Sequence, residues 1–384
     1  MNFDTKILHS YPVVDLETGA ASIPKYQSST FHQKNFPEKQ EYTYTRFGNP
    51  TVDAAEKAVA ALEDAKYGVS FSSGMAAITA SLLLLSAGDH LVLGENIYGG
   101  TFQLLTELLS RFEITYTFVD ERNPLAWKQA ICPNTKMFYL ETPSNPLLTV
   151  TNIQEVCKIA KANNLLTVCD NTFMTPYYQH PLTLGADIVI HSATKFLGGH
   201  SDLVMGFAVT NSVVLKEKLY KNQKIIGSIP GIEEAWLLLR GLKTLTVRMK
   251  QASQNALILA EKLLTLPDVK AVHYPGLENH PDYSQHFQQA SNGGAVLSFE
   301  LKTEQQVQRL FQQVKIPIVA VSLGGVESIL SYPWTMSHAC MSEEDRLKAA
   351  VTPNLVRLSC GIEDVDDLWL DIQLALEGGE NEEN

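Results

Sequence analysis

The sequence of 384 residues predicts an α/β fold, a mostly parallel sheet with helices on both faces followed by a smaller C-terminal α/β unit. Three observations carry this expectation. Apolar runs of strand length alternate with helical stretches from about residue 51 to residue 210. Those runs are near-continuously apolar rather than alternating, the pattern of strands buried on both faces. The chain is also longer than one core holds, since single cores stop growing at about 250–300 residues, and a second strand–helix set begins near residue 295.

Taken in order, residues 1–50 lack helical periodicity and carry scattered Pro, Gly, Ser and Tyr. They read as an extended arm that lies on another part of the protein or on another subunit. Thr51–Leu62 reads as a helix with Val52, Ala55, Val59 and Leu62 on one stripe and Thr51 as its cap. Seven strand candidates follow: Val69–Phe71, Leu91–Leu93, Ile114–Val119, Met137–Leu140, Leu166–Cys169, Ile188–Ile190 and Phe207–Val209. Between them Gly74–Leu85, Phe102–Leu109 and Ile153–Ala162 read as helices. A long helical pattern runs over Glu233–Leu264. The second set is Ala295–Leu301, Glu304–Val314, Ile318–Val321, Leu355–Ser359 and Asp364–Leu376. The expected units are therefore an arm (1–50), a large domain (51–245) and a smaller domain (246–384), with the tail EGGENEEN disordered.

Bulk properties exclude several function classes. A formal net charge of -12 argues against a general nucleic-acid or anionic-membrane binder, which needs a basic face. The longest apolar run, Ile78–Leu85, is far too short to span a bilayer, and MNFDTKILHS has no signal-peptide pattern. The five cysteines are scattered without a CxxC pair, which predicts free thiols in a reducing cytoplasm and no metal site.

In sheets of this kind chemistry sits at the carboxyl ends of the strands, and three such ends carry suggestive residues. After the first strand, Ser72-Ser73-Gly74-Met75 opens a helix, where free N–H groups and the dipole favour an anion; the plainer alternative is an N-cap and a tight turn. Asp170 ends an apolar strand and needs a cationic or N–H partner; the alternative is an Asx-turn. Lys195 follows the strand run ADIVIHSAT, with only small and hydroxyl residues just before it (Ser192–Thr194) and no charge just after it (Phe196–Gly199). A buried lysine has a lowered pKa and attacks carbonyls, whereas the usual fate of a lysine is a surface position. Ser192 and Thr194 bracket it with hydroxyls.

Together, an anion cradle, a buried aspartate and a reactive lysine are what pyridoxal phosphate requires: phosphate held, ring nitrogen kept protonated, aldehyde joined to lysine. Tyr98, in NIYGGTF, is placed to lie over the ring, with a core tyrosine as the alternative. Tyr44 and Arg46, in the arm, offer phosphate contacts, with a solvated arginine as the alternative. Arg357, inside an apolar strand, matches an amino-acid carboxylate with its planar fork, or else forms an internal ion pair.

These residues lie in motifs that resemble the pyridoxal-phosphate enzymes of cysteine and methionine metabolism, the cystathionine γ-synthase-like branch of fold type I. YTRFGNPT, SSGMAA, YGGTF, ETPSNP, DNTF, DIVIHSATKFLGGHS, SLGGVES and VRLSCGIED occur in family order over nearly the whole chain. The resemblance implies a seven-stranded large domain and a homotetramer, a dimer of dimers with shared active sites. It implies that Lys195 binds the cofactor and shuttles protons, that Asp170 pairs with the ring nitrogen, and that Tyr98 stacks and assists acid–base chemistry. Gly74, Met75, Ser192 and Thr194 become phosphate ligands, joined by Tyr44 and Arg46 across a subunit boundary. Arg357, with Asn145 and Ser322, becomes the substrate-carboxylate site.

Two positions discriminate among members. Gly100 stands where methionine γ-lyases resemble Y-G-C-T, and Val321 stands where cystathionine γ-synthases and γ-lyases carry a glutamate before S-L-G-G. AVSLGGVESILSYP and MSHA resemble the Gram-positive cystathionine β-lyases. The expectation is β-elimination of L-cystathionine to homocysteine, pyruvate and ammonia, with cysteine desulfhydrase side activity. The alternatives are cystathionine γ-lyase, then methionine γ-lyase or cystathionine γ-synthase.

Overall fold

Seven strands form the large sheet of the computed structural model, which describes residues 1–377. They are β1 (Tyr67–Phe71), β2 (His90–Gly94), β3 (Thr115–Val119), β4 (Thr135–Glu141), β5 (Leu166–Asp170), β6 (Ile188–Ser192) and β7 (Gly206–Thr210). Their spatial order is β1-β7-β6-β5-β4-β2-β3. Neighbours from β6 through β3 pair in parallel, while β7 is antiparallel to both β1 and β6. The sheet is thus mostly parallel, as expected from its near-continuous apolar strands.

Both faces are buried because successive side chains of each strand feed different cores. Phe138, Cys169, Val189 and Val209 pack into one core with Val59 and Leu62 of helix α2 (Pro50–Leu62). Tyr139, Val168, Ile188 and Ile190 pack into the other with Ile78 and Leu82 of helix α3 (Gly74–Leu82). Two layers of helix around a doubly buried sheet leave the strand carboxyl ends as the open edge of this unit.

The smaller sheet has five strands: β8 (Val269–His273), β9 (Val296–Leu301), β10 (Ile318–Val319), β11 (Ile329–Ser331) and β12 (Leu355–Ser359), in the order β10-β11-β12-β9-β8. Its pairings are antiparallel except β10 with β11. The helix Leu245–Leu263 joins the two units. Leu245, Met249 and Ala252 pack into the large core, and Ala256, Leu259 and Leu263 pack beneath the smaller sheet.

Several local expectations are corrected. The arm is not wholly extended. A first helix, α1 (Phe3–His9), buries Ile7 in the large core, and its seven residues are too few to register as periodicity. Residues 23–25 lie on the same chain, with the Trp236 indole N–H donating to Ile23 O at 3.1 Å and Lys25 paired with Glu233 at 2.6 Å. The cap of α2 is Asn49, whose Oδ1 accepts from Thr51 N–H at 3.0 Å, with Pro50 in the first turn. The Glu233–Leu264 pattern is two helices, Ile232–Leu242 and Leu245–Leu263. Phe102–Leu109 is not a regular α-helix: Gly99–Gln103 runs into a wide π turn over Leu104–Leu108. Strands β8 and β11 and the helix Val213–Ile226 were not expected. β8 and β11 are half-covered or only three residues long, and short segments of that kind give no clear period. Of the expected strand Ile318–Val321 only the first two residues pair. The acidic tail beyond Glu377 lies outside the described residues. Among the described residues no helix is long and apolar enough to cross a membrane.

Candidate active site

A cavity of about 510 Å³ opens at the carboxyl ends of β1, β2, β4, β5 and β6 and is closed on its far side by segments of the smaller unit. That volume is typical of a small-molecule site. Its lining includes Gly74, Met75, Tyr98, Asn145, Asp170, Ser192, Thr194, Lys195, Val321, Ser322 and Arg357. Eleven of the thirteen expected site residues therefore converge there. Tyr44 and Arg46 do not. Arg46 instead donates from Nη1 to Lys224 O at 2.9 Å and lines a separate cleft, and the Tyr44 ring is exposed.

The β1 end has the make-up of an anion cradle. Ser73 caps α3, its hydroxyl accepting from Ala76 N–H at 3.1 Å, so the first turn of the helix faces the cavity with free N–H groups. Gly74 sits directly against Ser192 of β6: a methyl group at Gly74 would stand 2.7 Å from Ser192 Cβ and 2.9 Å from its hydroxyl. Backbone N–H groups and the Ser192 hydroxyl are thereby brought to one point. The Thr194 hydroxyl lies beside them and accepts from Met205 N–H at 3.1 Å.

Two carboxyl groups stand on adjacent strand ends, with Glu141 of β4 in register with Asp170 of β5. Asp170 Oδ1 accepts from Thr172 N–H at 2.9 Å and Thr172 O–H at 2.5 Å. The Asx-turn thus exists, and it favours the charged carboxylate against the burial that pushes its pKa up. Glu141 lies in the quoted ETPSNP motif without an assigned role, and nothing in its sequence context separates it from a strand-end acid. Its oxygens accept from Tyr98 N–H at 2.9 Å and Asn145 N–H at 3.2 Å. Burial first, and the Asp170 charge second, push its pKa up to about 8. Burial thus pushes both carboxyl groups up, Glu141 to about 8, while the Thr172 hydrogen bonds hold Asp170 back.

Lys195 reaches into the same space. Its Nζ donates to the Ser322 hydroxyl at 2.6 Å. Burial, with the Arg357 charge as a second cause, lowers its pKa to about 8, which makes the free amine accessible near neutrality. The smaller unit sets this contact. Ser322 has φ +91°, an uncommon backbone for a residue with a side chain, and Gly324 follows at φ +81°. A Cβ on Gly324 would stand 2.6 Å from Phe196 N, so the S-L-G-G turn presses against the lysine's own backbone.

Arg357, on β12, is 3% exposed and pairs with no carboxylate among the described residues. Its Nη1 donates to Asn145 Oδ1 at 3.0 Å, and its Nη2 donates to Ser322 O at 2.6 Å and the Ser331 hydroxyl at 3.1 Å. Its Nε has no partner. Among the described residues the internal ion pair considered above is absent, and a buried guanidinium lining a cavity with an unused donor has the chemistry to receive an anion. His338 does not line the cavity; it is buried within the loop that carries Met336 and Cys340 there, and desolvation with the nearby Arg357 charge lowers its pKa to about 4, so it packs as a neutral ring.

Fold and cavity together define a pyridoxal-phosphate enzyme of fold type I. The chain belongs to the Cys/Met metabolism PLP-dependent enzyme family, whose model matches residues 4–377. It is 52% identical over 97% of its length to cystathionine beta-lyase MetC of Bacillus subtilis (strain 168), covering 96% of that protein. It is 46% identical over 98% of its length to a cystathionine gamma-lyase of the same strain, covering 100% of it. Among solved structures, cystathionine gamma-lyase from Lactobacillus plantarum complexed with L-serine superposes with a TM-score of 0.96 at 43% identity, over 98% of this chain and 99% of that one.

The residues present fit pyridoxal phosphate, the family's cofactor. The Gly74–Ser192 approach leaves backbone N–H groups and a hydroxyl at the mouth of α3, Asp170 is a half-buried strand-end acid whose carboxylate accepts two hydrogen bonds from Thr172, and Lys195 is a desolvated amine in the same cavity.

Proposed function

We propose that this enzyme catalyses β-elimination of L-cystathionine, with water consumed and homocysteine, pyruvate and ammonia released. Bound pyridoxal phosphate supplies an aldehyde that condenses with amines and a cationic ring that takes up the electrons of a broken bond. The chain supplies the rest. Gly74 and Met75 N–H groups with the Ser192 and Thr194 hydroxyls would hold the phosphate, Asp170 would serve the ring nitrogen, and Tyr98 would pack against the ring. Arg357, assisted by Asn145 and Ser322, holds the substrate carboxylate. Lys195 Nζ, as a free amine, would take the proton from the substrate Cα, and the Tyr98 hydroxyl would donate to the departing sulfur on Cβ. Side activity toward cysteine follows from the same geometry.

The observation that carries β over γ specificity is the rim of the cavity. Val321 is 64% exposed there, and among the described residues the only acids in the lining are Glu141 and Asp170 on the sheet ends. A distal ammonium of cystathionine meets no carboxylate at Val321 to fix the longer γ-chemistry pose. Gly100 supports the same reading against a methionine γ-lyase, because a side chain there would stand 2.6 Å from the Tyr98 ring. Relatives named cystathionine gamma-lyase favour the alternative, γ-elimination to cysteine, 2-oxobutyrate and ammonia.

We take the working unit to be a homotetramer in the cytoplasm, built as a dimer of dimers. Arm residues Tyr44 and Arg46 of one copy then complete the phosphate site of another, which accounts for their absence from their own cavity. The three units are arm 1–50, cofactor domain 51–245 and C-terminal domain 246–384. The test is product analysis with L-cystathionine: homocysteine and pyruvate in equal amounts support the proposal, and cysteine with 2-oxobutyrate as the main products would sink it.

A further inference from the structure

Behind the cavity lies a second polar assembly that the reaction does not use. Side chains facing the cavity at the strand ends alternate with ones facing the opposite core. The neighbours of Glu141, Asp170 and Ser192 on that hidden side are Thr142, Asn171 and His191, which are 1%, 0% and 0% exposed. Glu63, at 0% exposure, lies at the C-cap of α2 and grips two of them: Oε1 stands 2.6 Å from His191 Nε2 and accepts from Asn171 Nδ2 at 2.9 Å. Gln179 ties in the third strand, its Nε2 donating to Asn171 Oδ1 at 3.0 Å and to Thr142 O at 3.1 Å.

This arrangement breaks two local rules. An acid at a helix C-terminus opposes the macrodipole, and a buried carboxyl in an apolar core carries a desolvation cost. Glu63 Oε2 has no hydrogen-bond partner, and His180 Nδ1 stands 3.8 Å from it. Places where a sequence breaks such rules are where function compensates.

We infer that Glu63, acting through His191 and Asn171, is a positioning residue that locks the ends of β5 and β6 in register, so that Asp170 and Ser192 meet the cofactor's ring nitrogen and phosphate together. Hydrogen bonds on the hidden side fix the two backbones at the residues next to the contacts that matter. Main-chain pairing reinforces this, with Asn171 N–H donating to Ile190 O at 2.9 Å. The inference rests on the cofactor lying in the cavity described above.

The test compares the full-length enzyme with Glu63→Leu, which removes both grips, and Glu63→Gln, whose amide oxygen keeps one. Three quantities are read: the melting temperature of the cofactor-free protein, the dissociation constant for pyridoxal phosphate, and the pH midpoint of the bound cofactor's absorbance change. Glu63→Leu is expected to weaken cofactor binding at least tenfold and to move the midpoint, with Glu63→Gln between it and wild type. Leu310→Ala, in the core of the smaller sheet, lowers the melting temperature without touching the clamp and should leave both cofactor readouts unchanged. A folded Glu63→Leu protein with wild-type affinity and midpoint overturns the inference, as does an equal loss in Leu310→Ala. If Glu63→Leu does not fold, His191→Asn breaks the same contact from the other side and carries the same expectation and refutation. A wild-type chain that binds no cofactor overturns the underlying reading, and the clamp with it.

Discussion

Replacing Arg357 by leucine tests the substrate end of the site. The guanidinium makes three hydrogen bonds, at 3.0, 2.6 and 3.1 Å, all to uncharged groups, and keeps Nε unused. A forked carboxylate contact supplies two charge-assisted hydrogen bonds at about 1.5–3 kcal/mol each. Losing both removes about 3–6 kcal/mol, or about 10²- to 10⁴-fold in kcat/KM. Arg357→Lys keeps the charge but not the fork and should fall between. Folding suffers less, by about 1–3 kcal/mol, because Asn145 Oδ1 and the Ser331 hydroxyl lose a donor. The assay is pyruvate release from L-cystathionine, at a temperature where both variants are folded and carry cofactor. A Leu variant with full cofactor content and kcat/KM within threefold of wild type would refute the carboxylate assignment.

Further outcomes follow from the same geometry. Gly74→Ala places a methyl 2.7 Å from Ser192 Cβ, so either the α3 terminus or β6 must shift, and cofactor affinity should drop by roughly ten- to a hundredfold; unchanged affinity by equilibrium dialysis would contradict the cradle. In the cofactor-free protein Glu141 holds its proton to about pH 8, against 4.5 when unfolded. The native state then binds more protons between those values, so its stability falls as pH rises through that window. Glu141→Gln should flatten this fall, and parallel denaturation curves from pH 5 to 8 would exclude it. Uptake of pyridoxal phosphate by the cofactor-free protein requires the free amine of Lys195, so its rate should climb with pH and level off near 8, where an ordinary lysine would keep climbing to about 10.5. Stopped-flow absorbance distinguishes the two.

The large sheet was legible because both its faces are buried, which leaves apolar runs such as Ile188–Ile190 and Phe207–Val209 that no surface strand shows. The smaller sheet was legible only in its long strands. Ile329–Ser331 and Val269–His273 are too short or too exposed to separate from loop. At the site, Lys195, Asp170 and Arg357 stood out because each is a charge in an apolar stretch, and all three line one cavity. Glu141 and Glu63 gave no such signal, because a carboxyl at the end of a strand or helix is ordinary until its burial and partners are known. Tyr44 and Arg46 were readable as a motif, yet their own chain carries them away from the cavity they resemble ligands for.

The central claim is that the cofactor's chemistry runs through one lysine at the end of β6. Borohydride reduction of the cofactor-loaded enzyme, followed by peptide mass mapping, measures this directly. The pyridoxyl mass is predicted on Lys195 and on no other lysine, and it should vanish in Lys195→Ala. A label on a different lysine, or none on a protein that has bound the cofactor, would contradict the account.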